Sequence, residues 1–150
     1  VFDVERVKWC EEIGVKRYKV ACSHEDDKPL LGYLWGLELP IYVSMQRVGF
    51  RLPQINRDNW HYLFCVPEYP AKVQQYLVYN NPAYRCFYDG ISDHTIGLDA
   101  AKIALARGAR IIEKHFTIDH KTGIDALWSM DCNELKELKC FETVCKGVIS

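Results

Sequence analysis

Two short polar runs, Ser92-Asp93-His94-Thr95 and Glu113-Lys114-His115-Phe116-Thr117, bring imidazole, carboxylate and hydroxyl groups to places where apolar stretches give out. Imidazole suits divalent transition ions, and carboxylates and hydroxyls beside it can orient a bound water or a substrate hydroxyl. A lone histidine at a strand end is more often a hydrogen-bonded structural group. Two at matching strand ends imply one shared site.

The elements that position these groups follow from periodicity. Residues 109–116 are short, apolar and β-branched at their centre, and they follow Gly108, so they read as a strand. A side-chain period of two then puts Ile111, Glu113 and His115 on one face and Ile112, Lys114 and Phe116 on the other. Ser92 shares a face with His94 by the same rule. Between the two runs, residues 97–106 are rich in helix formers, and Gly108 supplies a C-terminal stop.

The same rhythm runs backward along the chain. Residues 17–22, 40–45, 62–66 and 86–91 read as further buried strands, and residues 4–13, 28–37 and 71–79 as helices. A last helix is expected from Asp131, which stands three residues before Glu134 as in a capping box. Leu138, Phe141, Cys145 and Val148 follow at helical spacing. Alternating helix and strand predicts an α/β fold with a parallel sheet. The loop-richest stretch is 47–60.

A chain of 150 residues, 49% hydrophobic and 26% charged, suits one domain over residues 1–150. A net charge of -1 without a basic run gives no support for a nucleic-acid or membrane-surface partner. No apolar span is long enough to cross a membrane and no cleavable leader is evident, so a cytoplasmic location is expected. The seven cysteines, at 10, 22, 65, 86, 132, 140 and 145, contain no CxxC pair and are expected to be reduced and mostly buried. His24, His61 and His120 are assigned to surface or loop, with His120 the one spare ligand candidate. Tryptophans and tyrosines are assigned to core and helix–sheet packing.

The residues also carry a resemblance. Ile91-Ser92-Asp93-His94-Thr95-Ile96-Gly97-Leu98-Asp99-Ala100-Ala101, followed by Ala106-Arg107-Gly108-Ala109-Arg110-Ile111-Ile112-Glu113-Lys114-His115-Phe116-Thr117, resembles the sialic acid synthase (N-acetylneuraminate synthase) family. Tyr18-Lys19-Val20-Ala21, Pro40-Ile41-Tyr42-Val43-Ser44 and Phe64-Cys65-Val66-Pro67-Glu68-Tyr69-Pro70 resemble three earlier strand ends of that family. The resemblance covers nearly the whole chain. It implies a partial TIM barrel corresponding to strands four to eight. The implied reaction condenses phosphoenolpyruvate with an N-acetylated, N-acetylmannosamine-like amino sugar to a sialic-acid-type nonulosonate, using Mn2+ or Mg2+.

The resemblance also implies roles for single residues. His94 and His115 become the metal ligands, Glu113 a group orienting the metal, its water or a sugar hydroxyl, and Asp125 a sugar contact after the last strand. Lys19 and Ser44 line the phosphoenolpyruvate side, Ser92 can donate to phosphate or carboxylate oxygens, and Tyr69 sits at a Tyr-Pro strand end.

A complete barrel has eight strands and typically ~250 residues. Strands one to three and the family's C-terminal antifreeze-like domain are therefore expected to be missing from this sequence. Five open strands leave an edge and an apolar face, so a homo-oligomer or a partner chain supplying the missing strands is expected. Cys22, Ser23-His24-Glu25, Met45-Gln46 and Pro67 depart from the family pattern on the phosphoenolpyruvate side. Two readings result: a metal-dependent synthase that is incomplete alone, and a non-catalytic half-barrel, relict or regulatory, that pairs with a complete enzyme.

Overall fold

The computed structural model describes residues 1–46 and 58–149. The loop expected over 47–60 falls largely outside them, and its last residue, Trp60, opens a strand. In chain order the elements are α1 (Val4–Glu12), β1 (Tyr18–Val20), α2 (Lys28–Trp35), β2 (Ile41–Met45), β3 (Trp60–Cys65), α3 (Val73–Tyr76), α4 (Pro82–Phe87), β4 (Gly90–Asp93), α5 (Asp99–Ala106), β5 (Ile111–Lys114) and α6 (Cys132–Ile149). The five strands are parallel and lie in the order β1-β2-β3-β4-β5, forming half of a barrel. Parallel strands need crossover connections, which the helices supply.

Local chemistry fixes the helix starts. Asp3 caps α1 by accepting from the Arg6 amide, and Asp27 caps α2 by accepting from that of Leu30. The expected capping box opens α6: the Asp131 carboxylate takes the Glu134 amide at 2.9 Å, and the Glu134 carboxylate takes the Asp131 amide at 2.9 Å. Gly108, at φ 92°, ends α5 as anticipated, in a backbone region costly for other residues.

The fourth strand departs from the sequence reading. Cys86 and Phe87 belong to α4, and β4 starts only at Gly90. Asn81 caps this helix by accepting from the Ala83 amide, and Pro82 starts it, a start signal that outweighs the apolar run after it. The helix expected over 71–79 is also broken into α3 and a 3-10 turn, Leu77–Asn80. His61 lies inside β3 and not in a loop, packed on the Tyr42 ring at 4.9 Å and 3.8 Å from Asp89.

The main core lies between sheet and helices and includes Val7, Val20, Leu30, Leu34, Ile41, Val43 and Ile91. A second cluster joins Leu98, Ala101 and Leu105 of the α5 region to Leu138 of α6, with Phe141 and Cys145 against it. Gly90 is required where β4 meets β5, because a Cβ there would lie 1.7 Å from the Ile111 carbonyl oxygen. The cysteines are more exposed than expected: Cys65 is buried, but Cys86, Cys132 and Cys140 are exposed. Among the described residues, no helix is long and apolar enough to cross a membrane.

Candidate active site

Strand periodicity sends alternate residues of every strand to the face away from the helices. A cavity of about 370 Å³ opens there, lined among others by Lys19 of β1, Ser44 of β2, Cys65 of β3, Ser92 and His94 at the end of β4, and Glu113 and His115 at the end of β5. Register aligns Cys65 with Ser92 and Ser92 with Glu113, so three neighbouring strands present one row of side chains. Tyr69, in the loop after β3, also lines the cavity. The structure thus brings seven of the eight anticipated residues to one cavity wall, and the eighth, Asp125, lies 3.4 Å from His115 Nδ1.

The His94 imidazole is held by its Nδ1. His94 Nδ1 is 2.9 Å from the Val66 carbonyl oxygen, which can only accept, so Nδ1 carries the proton and Nε2 keeps its lone pair. His94 is 5% exposed, and burial pushes its pKa below 6.5, with His115 nearby adding to the shift. The Asp125 carboxylate lies 3.4 Å from His115 Nδ1. The two rings stand 5.5 Å apart, and Tyr69 covers them, 4.2 Å from His94 and 6.1 Å from His115.

The backbone around His94 is pinned from three directions. Its amide donates to the Tyr76 hydroxyl at 3.2 Å, that hydroxyl donates to the Ser92 carbonyl at 2.7 Å, and the His94 carbonyl accepts from the Ala71 amide at 3.0 Å. On the same wall, the Glu113 carboxylate receives Ser44 Oγ at 3.2 Å and lies 3.3 Å from Lys19 Nζ. A cation, a hydroxyl and a carboxylate are therefore held together beside the two histidines.

These groups fit a divalent ion. The hydrogen bond at His94 Nδ1 orients that ring and raises its basicity, as the partners of metal-bound imidazoles do. Among the described residues no third histidine, cysteine or carboxylate closes a three-donor set around them, so further coordination positions would fall to water or substrate.

Several contributors were not legible in the sequence. Lys114 pairs with Asp93; the sequence placed Lys114 on the strand face opposite Glu113 and His115, but nothing marked the two as partners. Trp128 stands 5.8 Å from Tyr69 and 6.5 Å from His115, extending the aromatic wall, while Trp9 is 52% exposed; neither is a core residue. His120 does not join the cavity. Its Nε2 lies 3.1 Å from Glu134 and 3.5 Å from Asp131, clamping the loop that carries Asp125 onto the capping box of α6.

Half of a (β/α)8 barrel, with its polar groups gathered at the C-terminal strand ends, is the class that fold and site define. The chain belongs to the NeuB family, which its residues 1–143 match. Curated relatives include the N,N'-diacetyllegionaminic acid synthases of Campylobacter jejuni, 33% identical, and Legionella pneumophila, 31% identical. Each match covers 91% of this chain but only 45% and 43% of the respective relative. Among solved structures, a sialic acid synthetase from Leptospira borgpetersenii, in complex with citrate, superposes with a TM-score of 0.84 at 25% identity, over 99% of this chain and 56% of that one. A spore coat polysaccharide biosynthesis protein from Bacillus subtilis, at 23% identity and TM-score 0.86, shares the fold. The chain spans about half the length of the curated relatives it matches.

Proposed function

We propose that this chain forms the metal and substrate wall of a nonulosonate synthase that condenses phosphoenolpyruvate with an N-acetylated amino sugar. The observation that carries this reading is the convergence of His94, His115, Glu113, Lys19 and Ser44 on one cavity at the C-terminal strand ends. His94 and His115 would hold a divalent ion, Mn2+ or Mg2+, through their Nε2 atoms. Bound there, it would supply Lewis-acid polarisation of the sugar's aldehyde oxygen. Lys19 offsets the negative charge of phosphate or carboxylate, and Ser44 and Ser92 donate hydrogen bonds to the same oxygens. Glu113 and Asp125 accept from sugar hydroxyls, and the Tyr69 ring shields the reacting carbons from water.

The reaction joins C3 of phosphoenolpyruvate to the aldehyde carbon, water adds at C2, and phosphate leaves. The chain alone is incomplete for this chemistry. Its sheet ends at β1 and β5, each paired on one side only among the described residues, and further strands, from another segment of the same protein, a second copy or a partner polypeptide, complete the wall. Those open edges also support a second reading, a non-catalytic half-barrel that docks on a complete enzyme.

Phosphate release from phosphoenolpyruvate tests the first reading. It is measured with Mn2+ and an N-acetylated hexosamine, with and without a polypeptide carrying the three preceding strands. Release that appears with the supplement and vanishes in His94→Ala supports the synthase. Absence of release in both mixtures favours the non-catalytic half-barrel.

A further inference from the structure

Asp125 reaches His115 from the loop 117–131, whose ends are tied by backbone bonds: the Thr117 amide donates to the Met130 carbonyl at 2.9 Å, and the Met130 amide to the His115 carbonyl at 2.8 Å. The tip of the loop is less anchored. Ile118 is 83% exposed and Ile124 94%, and the Asp119 carboxylate closes only a local turn on Lys121 and Thr122. His120 ties this tip to a helix. Its Nε2 lies 3.1 Å from Glu134 Oε2 and 3.5 Å from Asp131 Oδ2, and its Nδ1 lies 3.4 Å from the carbonyl oxygen of Ala126, the residue after Asp125.

The ordinary role for such a histidine is a surface ion pair of little worth. Three features argue for more. Carbonyl and carboxylate oxygens only accept, so both ring nitrogens face acceptors, and an imidazole donates from both only when it is protonated. The receiving carboxylates are also held ready. Asp131 spends Oδ1 on the Asn133 and Glu134 amides and leaves Oδ2 toward the ring, while Glu134 Oε2 is fixed by the Asp131 amide. The Glu134 amide above all holds the Asp131 carboxyl below the usual carboxylate range, and the charge of His120 adds to this. Finally, His120 sits at φ 55°, a left-handed conformation uncommon for a residue with a side chain, which its surroundings must enforce.

We propose that His120, as an imidazolium, is a positioning residue: it latches the Asp125 loop onto the first turn of α6 and so sets the Asp125 carboxylate against His115. The charged groups that act on the ring are Asp131 and Glu134 from α6 and Asp119 from its own loop, all acidic. The latch holds while the ring is charged and these carboxylates are ionised. When the ring loses a proton, one nitrogen turns a lone pair on an acceptor oxygen, and one of the two ties, to α6 or to Ala126, is lost. The latch therefore loosens as pH rises. Its bearing on catalysis rests on the synthase reading above, in which Asp125 meets the sugar; the latch itself does not.

The test is nitrogen-15 NMR of the chain in the presence of a chelator, titrated from about pH 5 to about pH 9. Couplings between ring protons and ring nitrogens report which His120 nitrogens carry a proton, and relaxation reports the order of the Asp125 and Ala126 amides. The expected result is order parameters near ~0.85 while both nitrogens are protonated, falling toward ~0.6 as His120 loses its proton. In His120→Ala the same amides should be loose at both ends of the range. Order unchanged through the His120 titration would overturn the proposal, as would an ordered loop whose His120 ring is neutral from about pH 5 upward. The wild-type titration decides the matter even if the variant folds poorly. Neither readout needs metal or substrate, so a failed latch leaves the synthase reading standing, and absent phosphate release leaves the latch standing.

Discussion

Asp93 and Lys114 form an ion pair at 3.1 Å with both side chains fully buried, joining the polar run that carries His94 to the run that carries His115. Lys114 Nζ also donates to the Thr95 carbonyl at 2.6 Å, and Asp93 accepts from the Thr95 amide at 2.8 Å. Because the two residues stand opposite each other in the β4–β5 register, this pair fixes the neighbouring residues, His94 and His115, relative to one another.

Removing one partner strands a buried charge. Lys114→Met is expected to lower unfolding free energy by about 3–5 kcal/mol, measured by urea denaturation, whereas Asp93→Asn combined with Lys114→Met should cost less than the single change. Equal stability of Lys114→Met and wild type would show that the pair does not organise the strand ends.

Burial of His94 gives a direction for pH. Its folded pKa lies below 6.5, so as pH falls below that value the unfolded chain takes up a proton the folded chain refuses. This contribution to stability is present at neutral pH and is lost on acidification. Denaturation at about pH 7.5 and about pH 5 should show wild type losing stability and His94→Gln losing less of it. An equal or steeper loss in the variant would place the sensitivity elsewhere.

The Asp125 carboxylate lies 3.4 Å from His115 Nδ1, close enough to support that ring. Asp125→Asn is expected to weaken Mn2+ binding about 10- to 100-fold, read by calorimetry, with the fold retained. Unchanged affinity would mean that Asp125 does not support the ligand ring.

Gly90 leaves no room for a side chain against Ile111. Gly90→Ala is expected to destabilise the chain strongly, by more than about 4 kcal/mol, or to abolish soluble expression. A well-folded variant within about 1 kcal/mol of wild type would contradict the close strand approach.

Much of this was legible in the chain itself. Two-residue periodicity placed Glu113 with His115 and Ser92 with His94 on the cavity face, because one buried face fixes which side chains point inward. Asp131 and Glu134 announced the start of α6 through capping alone. The misread segment, residues 86–91, failed because an apolar run looks alike in a buried strand and a short helix, and the deciding signal, Asn81-Pro82, sat upstream of it. Contacts between distant residues were beyond reach: no local pattern pairs Lys114 with Asp93 or Trp128 with Tyr69, since those depend on strand order and loop path.

The most direct measurement is electron spin echo envelope modulation of Mn2+ added to the chain, which detects nitrogen nuclei bonded to the ion. Two imidazole nitrogens are expected in wild type, one in either His94→Ala or His115→Ala, and none in the double variant. A wild-type spectrum without nitrogen coupling, or one unaltered by both substitutions, would contradict a metal site built on His94 and His115.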